Sequence, residues 1–261
     1  MQDSRDDFGV GDDFSSRDES MERLFFDYVA EFAAGAAHEL NNPLAIISGT
    51  AQKFLKTETD PKKREALATI ISQAKRGYEM IAEIRSFARP PRPEFASVDV
   101  VRLFDDWTNR ELRRAGARSF RAEIQAPSRE SFELKTDPAL LACALDSLGK
   151  NALENASKAG RLYFYLNLPE SDADGSRSND SVSSVLELGV ENDGSNLTEE
   201  EVALCFAPFY SGRQAGRGLG FGLPKAKRFA EILGARVTSE PARVFPTGRR
   251  WGVAFHLEAF N

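Results

Sequence analysis

The stretch Ala37-His38-Glu39-Leu40-Asn41-Asn42-Pro43-Leu44 decides how the N-terminal part of this chain folds. Its apolar residues belong to a pattern with alternating spacings of four and three, which predicts a helix with one buried stripe. The stripe consists of Ala33, Ala37, Leu40, Leu44, Ile47, Ala51 and Phe54. Successive helical residues turn by about 100°, so His38 lies off the stripe. An exposed imidazole next to the Glu39 carboxylate is suited to accept a group covalently, although a solvated surface histidine is the simpler alternative.

Two helices joined by a short turn are predicted upstream of residue 89. The first covers residues 21–56 and contains Pro43, which removes one backbone hydrogen bond and predicts a local kink. Asp60 and Pro61 have the character of a helix cap and a first helical residue. The second helix then runs to Ala88, with apolar residues at heptad spacing: Leu67, Ile71, Ala74, Tyr78 and Ile81. A lone hairpin cannot cover both apolar stripes, so we expect a homodimeric four-helix bundle.

Composition limits the class of protein and its partners. The 261 residues are 41% hydrophobic and 28% charged, which is typical of a soluble globular protein. The net charge of -6 argues against a nucleic-acid partner, and no apolar run approaches the ~20 residues that span a bilayer. Cys143 and Cys205 lie in apolar helical patterns and are predicted to be buried, unpaired thiols. We therefore expect a cytoplasmic protein without a membrane segment.

The chain is predicted to consist of four parts. Residues 1–20 are acidic and aperiodic and are expected to be a disordered lead. Residues 21–89 form the hairpin, and 90–97 form a proline-rich linker. Residues 98–261 mix strand and helix patterns without a regular βαβ repeat, which predicts an α+β sandwich. Its predicted strands are 120–124, 162–168, 184–191, 236–239 and 253–257; its predicted helices are 100–115, 138–159, 199–203 and 224–233; a polar, mobile hairpin tip is expected at 170–181.

Three patterns in this second part could bind a nucleotide. Asn151 falls mid-helix after Lys150, and its amide oxygen could complete the shell of a Mg²⁺ held by phosphates, or simply bond a neighbouring helix. The run Asn192-Asp193-Gly194-Ser195-Asn196 follows a strand, where glycine allows close approach to a planar ligand. The run 216–223 alternates glycine with other residues before a helix, as in a phosphate-binding loop. Each pattern is weak evidence by itself.

In this order, these motifs resemble those of sensor histidine kinases. His38, Glu39, Asn42, Pro43 and Leu44 match the phosphoacceptor pattern His-Glu-x-x-Asn-Pro-Leu. The three later patterns resemble the ATP-binding domain that histidine kinases share with gyrase-type topoisomerases, heat-shock chaperones and mismatch-repair proteins. Between the second and third, residues 206–213 are similar to the Phe-x-Pro-Phe box of the kinases. The resemblance covers roughly residues 30–258.

The resemblance implies a role for each matching residue. His38 would be the phosphoacceptor and Glu39 its base, and Asn42 would position water or a partner's phosphoryl group in the reverse direction. Asn151 would hold Mg²⁺, with Lys150 as a weaker contact, while Asn192 and Gly194 would meet the adenine. Phosphate contacts would come from the remaining residues: Arg213, Gly216, Gly218, Leu219 and Gly220. The implied partners are ATP, Mg²⁺ and the receiver domain of a response regulator.

The adenine-binding run departs from the family pattern Asp-x-Gly-x-Gly. Asn192 keeps an acceptor oxygen but loses the charge, and Asn196 replaces the second glycine. Asp193 could contact the base instead, although strand alternation points it to the opposite face. The main alternative to a kinase is therefore a catalytically weak pseudokinase, which would act as a dimeric scaffold or a response-regulator phosphatase. A purely conformational ATPase is disfavoured by the hairpin that carries His38.

Overall fold

A computed structural model describes residues 12–116, 120–125, 129–157, 160–169, 185–210 and 220–257. The side chains of residues 12–27, 30, 33 and 38 also lie outside this description. The chain divides into two compact units, Met1–Pro91 and Arg92–Asn261. None of the helices within the described ranges combines the length and apolar character that crossing a bilayer requires.

The N-terminal unit is a hairpin of two helices. Helix α1 covers Asp12–Thr57, with Pro43 inside it, and helix α2 covers Pro61–Ala88. Asp60 caps α2 by accepting a hydrogen bond from the backbone amide of Lys62, at 2.9 Å, and Pro61 occupies the first helical position. Both predicted helices and the connecting turn are thereby confirmed.

Helix α1 begins nine residues before its predicted start at Met21. The expected disordered lead is therefore wrong for residues 12–20, which are helical, while residues 1–11 lie outside the described residues. Acidic residues are favoured in the first turn of a helix, and this one begins with Asp12 and Asp13. Acidic composition, which suggested disorder, is thus compatible with a helix N-terminus.

The second unit is a sheet covered on one face by helices. The elements follow in chain order: β1 Ala96–Asp99, α3 Val100–Ala115, β2 Arg121–Ile124, β3 Glu133–Thr136, α4 Pro138–Asn155, β4 Arg161–Asn167, β5 Val185–Asn192, α5 Glu199–Leu204, α6 Gly222–Ile232, β6 Ala235–Pro241 and β7 Arg249–His256. The main sheet has the order β2-β4-β5-β7-β6, in which only the β2–β4 pair is parallel. The predicted α+β class is confirmed.

The core of this unit lies between the sheet and helices α3, α4 and α6. Alternate residues of β4, β5 and β7 point toward the helices and are buried: Leu162, Phe164, Leu166, Leu186, Leu188, Val190, Trp251, Val253 and Phe255. Trp107 of α3 meets Phe164 edge-on, with ring centroids 5.3 Å apart. The helix positions are therefore fixed by large side chains on both layers.

Three predictions about this unit need correction. Strands β1 and β3 were not predicted, and they pair with each other in a separate two-stranded sheet. The predicted linker is too long, because β1 begins at Ala96 and the Glu94 amide donates to Asp137 Oδ2 at 2.6 Å. Cys143 is exposed rather than buried, since it lies on the outer side of α4, whereas Cys205 is buried as predicted. The expected mobile tip at 170–181 lies outside the described residues.

Candidate active site

His38 lies in helix α1. Ala37 is buried, while the side chains of Glu39 and Asn42 are exposed. Asn42 follows His38 by four residues, so the two positions lie on the same side of the helix. The predicted catalytic residues Glu39 and Asn42 thus stand on an accessible surface of the hairpin, and the side chain of His38 is outside the description.

Helix α4 carries the predicted magnesium ligand Asn151. Its start is fixed by Asp137, whose Oδ1 accepts hydrogen bonds from the amides of Ala139 and Leu140. Although burial acts to raise it, these bonds and that of Glu94 hold the pKa of the Asp137 carboxyl below its usual range. The helix is thereby set in a fixed register against the sheet.

The amide of Asn151 is only partly satisfied by the protein. Its Oδ1 accepts from Asn155 Nδ2 at 3.0 Å, and Asn155 Nδ2 also donates to the Asn151 backbone carbonyl at 2.8 Å. Its Nδ2 is buried and has no hydrogen-bond partner among the described residues. Lys150, by contrast, is exposed. Since buried polar groups normally find partners, this amide retains capacity for a ligand.

The turn after β5 packs against the end of α4. A Cβ on Gly194 would lie 2.1 Å from the backbone carbonyl oxygen of Asn155, a distance that real side chains do not adopt. Glycine is therefore required here by the approach of the turn to α4 alone. The predicted residues Asn151 and Gly194 are brought to one place through Asn155, which the sequence did not indicate.

Asn192 ends β5 as a buried side chain that is 1% exposed. In the orientation that satisfies both ends of its amide, Nδ2 donates to the Arg249 carbonyl at 3.2 Å and Oδ1 accepts from the Gly194 amide at 3.0 Å. The amide oxygen has a second lone pair, so it can accept one more hydrogen bond.

The second departure from the family pattern also has a structural role. Asn196 Oδ1 accepts a hydrogen bond from the Gly248 amide at 2.9 Å. Gly248 has φ of +116°, and a Cβ there would lie 1.8 Å from the Asn192 carbonyl oxygen. Asn196 thus ties the β6–β7 connection to the turn after β5, which a glycine at this position could not do.

Asp193 points away from this turn. Its Oδ1 accepts from the Ser157 amide and its Oδ2 from the Ser157 hydroxyl, each at 3.2 Å, and Arg161 Nε lies 3.7 Å from Oδ2. As strand alternation predicts, the carboxylate is committed to the opposite side. Asn192 is therefore the better candidate for contact with a base.

One aromatic residue precedes the predicted phosphate loop in the sequence, and another lies at its C-terminal end. Phe209 has φ of +65°, is exposed, and meets the ring of buried Phe221 edge-on at 4.7 Å. Gly220 has φ of +70°, and a Cβ there would lie 2.3 Å from the Tyr210 carbonyl oxygen. The remaining predicted phosphate contacts lie outside the described residues: Arg213, Gly216, Gly218 and Leu219.

Two families match the two units. Residues 28–92 match the His Kinase A (phospho-acceptor) domain, and residues 136–259 match the histidine kinase-, DNA gyrase B-, and HSP90-like ATPase. The chain belongs to the sensor histidine kinases. The resemblance inferred from the ordered motifs is confirmed, and the second unit has the fold of this ATPase family.

Similar proteins support the same family. The sensor histidine kinase ZraS of Klebsiella oxytoca is 24% identical over 215 residues, which cover 82% of this chain and 43% of ZraS. The chain therefore spans less than half the length of this relative. The crystal structure of full-length ShkA in complex with AMPPNP matches with a TM-score of 0.68 at 18% identity. The match covers 88% of the present chain and 47% of the ShkA chain. The crystal structure of histidine kinase ThkA in complex with response regulator protein TrrA matches with a TM-score of 0.63 at 18% identity. The match covers 95% of the present chain and 67% of the matched chain. At such identities the structures support the fold.

Proposed function

We propose that this chain is an ATP-dependent protein-histidine kinase that phosphorylates His38 and passes the phosphoryl group to an aspartate of a response regulator. The observation that carries the proposal is the presence, in one chain, of the His38 hairpin and of the Asn151–Asn155–Gly194 cluster in an ATPase fold. ThkA, which shares the fold, was crystallised with a response regulator protein. A receiver domain is accordingly the proposed partner.

In the proposed first step, Nε2 of the neutral His38 ring attacks the γ-phosphorus of ATP. The N–P bond forms as the bond from the γ-phosphorus to the β–γ bridging oxygen breaks, and ADP leaves with that electron pair. Glu39 accepts the proton from the other ring nitrogen. In the second step a receiver carboxylate attacks the phosphorus, the N–P bond breaks, and the ring takes a proton back. Asn42 is proposed to position water or the receiver's phosphoryl group when this transfer runs in reverse.

We propose that the adenine meets the free lone pair of Asn192 Oδ1 next to Gly194. The buried position of Asn192 supports this, as does the commitment of Asp193 to Ser157 on the other side. Asn196 has a bond of its own within the site, so both asparagines are accommodated without disrupting the turn. For this reason we favour the kinase over the pseudokinase.

Mg²⁺ fits the partly satisfied amide of Asn151. Its oxygen accepts one hydrogen bond and keeps a second lone pair that a cation could use, while its nitrogen, unpartnered within the described ranges, could donate to a phosphate oxygen or to water. The same ranges contain no group of three or more His, Cys, Asp or Glu side chains that could hold a metal, so most of the ligands would come from phosphates and water, as Mg²⁺ prefers. When bound, the ion would neutralise phosphate charge, and Asn151 would hold it in place.

We also propose that the hairpin forms a homodimer. The predicted stripe of α1 is divided into two rows with a spacing of seven residues. Ala37, Leu44 and Ala51 are buried or half-buried against α2, whereas Leu40, Ile47 and Phe54 are 50%, 48% and 60% exposed. A helix that is hydrophobic on two sides needs a second partner, and a second copy of the hairpin would complete a four-helix bundle.

The test is incubation of the purified chain with γ-labelled ATP and Mg²⁺, with His38→Gln, His256→Gln and Asn151→Ala variants. His256 is the matched control, because it is the other of the two histidines and is exposed at the end of β7. We expect acid-labile, alkali-stable label in the wild type and in His256→Gln, and none in the other two variants. Label that survives His38→Gln, or no label in a folded wild type, would contradict the proposal.

A further inference from the structure

A tyrosine of α2 contacts the backbone of α1 next to the residues proposed to react. The Tyr78 hydroxyl donates a hydrogen bond to the backbone carbonyl of Asn41 at 3.1 Å. Both side chains are half-buried, and the two residues are 37 positions apart in the chain. Asn41 follows His38 by three residues, so the bonded carbonyl lies within one turn of the proposed phosphoacceptor.

Pro43 weakens this turn of α1. It has no amide proton, so the carbonyl of Glu39, four residues earlier, loses its helical donor. The proline ring also crowds that carbonyl, which loosens the turn between Glu39 and Pro43. The Asn41 carbonyl has two lone pairs and can accept Tyr78 in addition to a helical amide. The hydroxyl of Tyr78 therefore adds a hydrogen bond two residues after the Glu39 carbonyl, which has lost its helical donor.

The residue next to Tyr78 brings the two helices close together at the same level. A Cβ on Gly77 would lie 3.0 Å from Leu44 Cδ1 and 3.3 Å from Leu44 Cδ2. Glycine thus lets α2 lie directly against the side chain that follows Pro43. The two neighbouring residues of α2 therefore contact α1 on either side of Pro43. Tyr78 contacts Asn41, two residues before the proline, and Gly77 lies against Leu44, one residue after it.

We propose that Tyr78 is a positioning residue for His38. Its hydroxyl holds the backbone of the Asn41–Pro43 segment against α2. Asn42 lies in this segment, and His38 and Glu39 lie within one helical turn before it. Phosphoryl transfer depends on reacting atoms held in line, and small displacements lower its rate. The inference rests on the proposed function, because it assigns Tyr78 a role in the reaction of His38.

The test compares Tyr78→Phe with the wild type and with Tyr163→Phe in the full chain. Tyr163 is the matched control, since its hydroxyl donates a bond of similar length, 3.2 Å, to Gln125 Oε1 in the other unit. The initial rate of His38 labelling is measured against ATP concentration. In parallel, hydrogen–deuterium exchange is measured for the backbone amides of residues 41–48.

For Tyr78→Phe we expect a maximal rate about 3- to 10-fold lower, with the KM for ATP unchanged, and amide exchange about 3- to 10-fold faster, which corresponds to one lost hydrogen bond. Tyr163→Phe should match the wild type in both measurements. Equal rates and equal exchange in Tyr78→Phe would overturn the inference, as would an equal loss of rate in the control. No label in the wild type would remove the proposed function as well, whereas label in the wild type with an unaffected Tyr78→Phe removes this inference alone.

Discussion

Replacing Glu111 of α3 with Gln should change how the stability of the second unit depends on pH. The Glu111 side chain is fully buried, and one oxygen contacts Arg114 while Oε2 has no partner among the described residues. A Cβ on Gly149 of α4 would lie 2.8 Å from Glu111 Cδ, so the carboxyl is enclosed by the next helix. Burial, opposed in part by Arg114, raises the pKa of Glu111 from 4.5 to about 7.

The direction of the pH dependence follows from the pKa of Glu111 in the folded and unfolded states. The folded state binds the proton more tightly than the unfolded state, so this residue favours folding below about pH 4.5, and the benefit is lost as the pH rises through about 7. At about 1.4 kcal/mol for each pKa unit, ionisation should cost about 2–3 kcal/mol between pH 5 and pH 8. Gln resembles the protonated acid and does not ionise, so Glu111→Gln should not pay this cost.

The assay is urea unfolding followed by tryptophan fluorescence at several pH values. Both tryptophans, Trp107 and Trp251, are buried in the second unit and report on it alone. We expect the difference in free energy of unfolding between Glu111→Gln and the wild type to shift by about 2–3 kcal/mol in favour of the variant from pH 5 to pH 8. Glu123→Gln, at an exposed position of β2, is the matched control. A constant difference between Glu111→Gln and wild type across this range would refute the reasoning.

Two further predictions concern packing and assembly. Gly194→Ala places a methyl group 2.1 Å from the Asn155 carbonyl oxygen, so we expect a loss of about 1–3 kcal/mol in unfolding free energy. The variant should also bind a fluorescent ATP analogue more weakly than the control Ser195→Ala, which lies in the same turn. Equal affinity in both variants would contradict the packing argument. Phe54→Glu puts a charge into the exposed row of α1, so light scattering should show a monomer where the wild type and the exposed-site control Gln52→Glu are dimeric. A dimeric Phe54→Glu, or a monomeric wild type at micromolar concentration, would place the subunit contact elsewhere or remove it.

The turn of the hairpin and its second helix could be predicted closely because their signals are local. Asp60 and Pro61 mark the start of α2 within two residues, and the prolines after Arg89 mark its end. Strands β1 and β3 could not be predicted in this way. They pair only with each other, with Ala96 opposite Thr136, outside the main sheet. Their existence depends on a contact between distant parts of the chain.

The candidate site was predictable in its residue types and less so in its connections. Asn151, Asn192 and Gly194 were predicted from motifs, because each occupies a characteristic place in the pattern, and their roles remain proposals. Asn155 and Asn196 were not assigned their roles, since these depend on the carbonyl that meets Gly194 and on the Gly248 amide. Cys143 was placed on the wrong side of α4 because a predominantly apolar helix gives a weak indication of its outer face.

The strand order of the main sheet has a consequence for how the protein is made. Strand β7 is the last strand of the sheet along the chain, yet it lies between β5 and β6. On the ribosome the hairpin emerges before the second unit and can fold from local contacts. The sheet, in contrast, lacks an inner strand until residues 249–256 have been added. A nascent chain would therefore expose the hairpin well before the main sheet is complete. Shortening the chain into β7 should remove the fold of the second unit and leave the two helices of the hairpin in place.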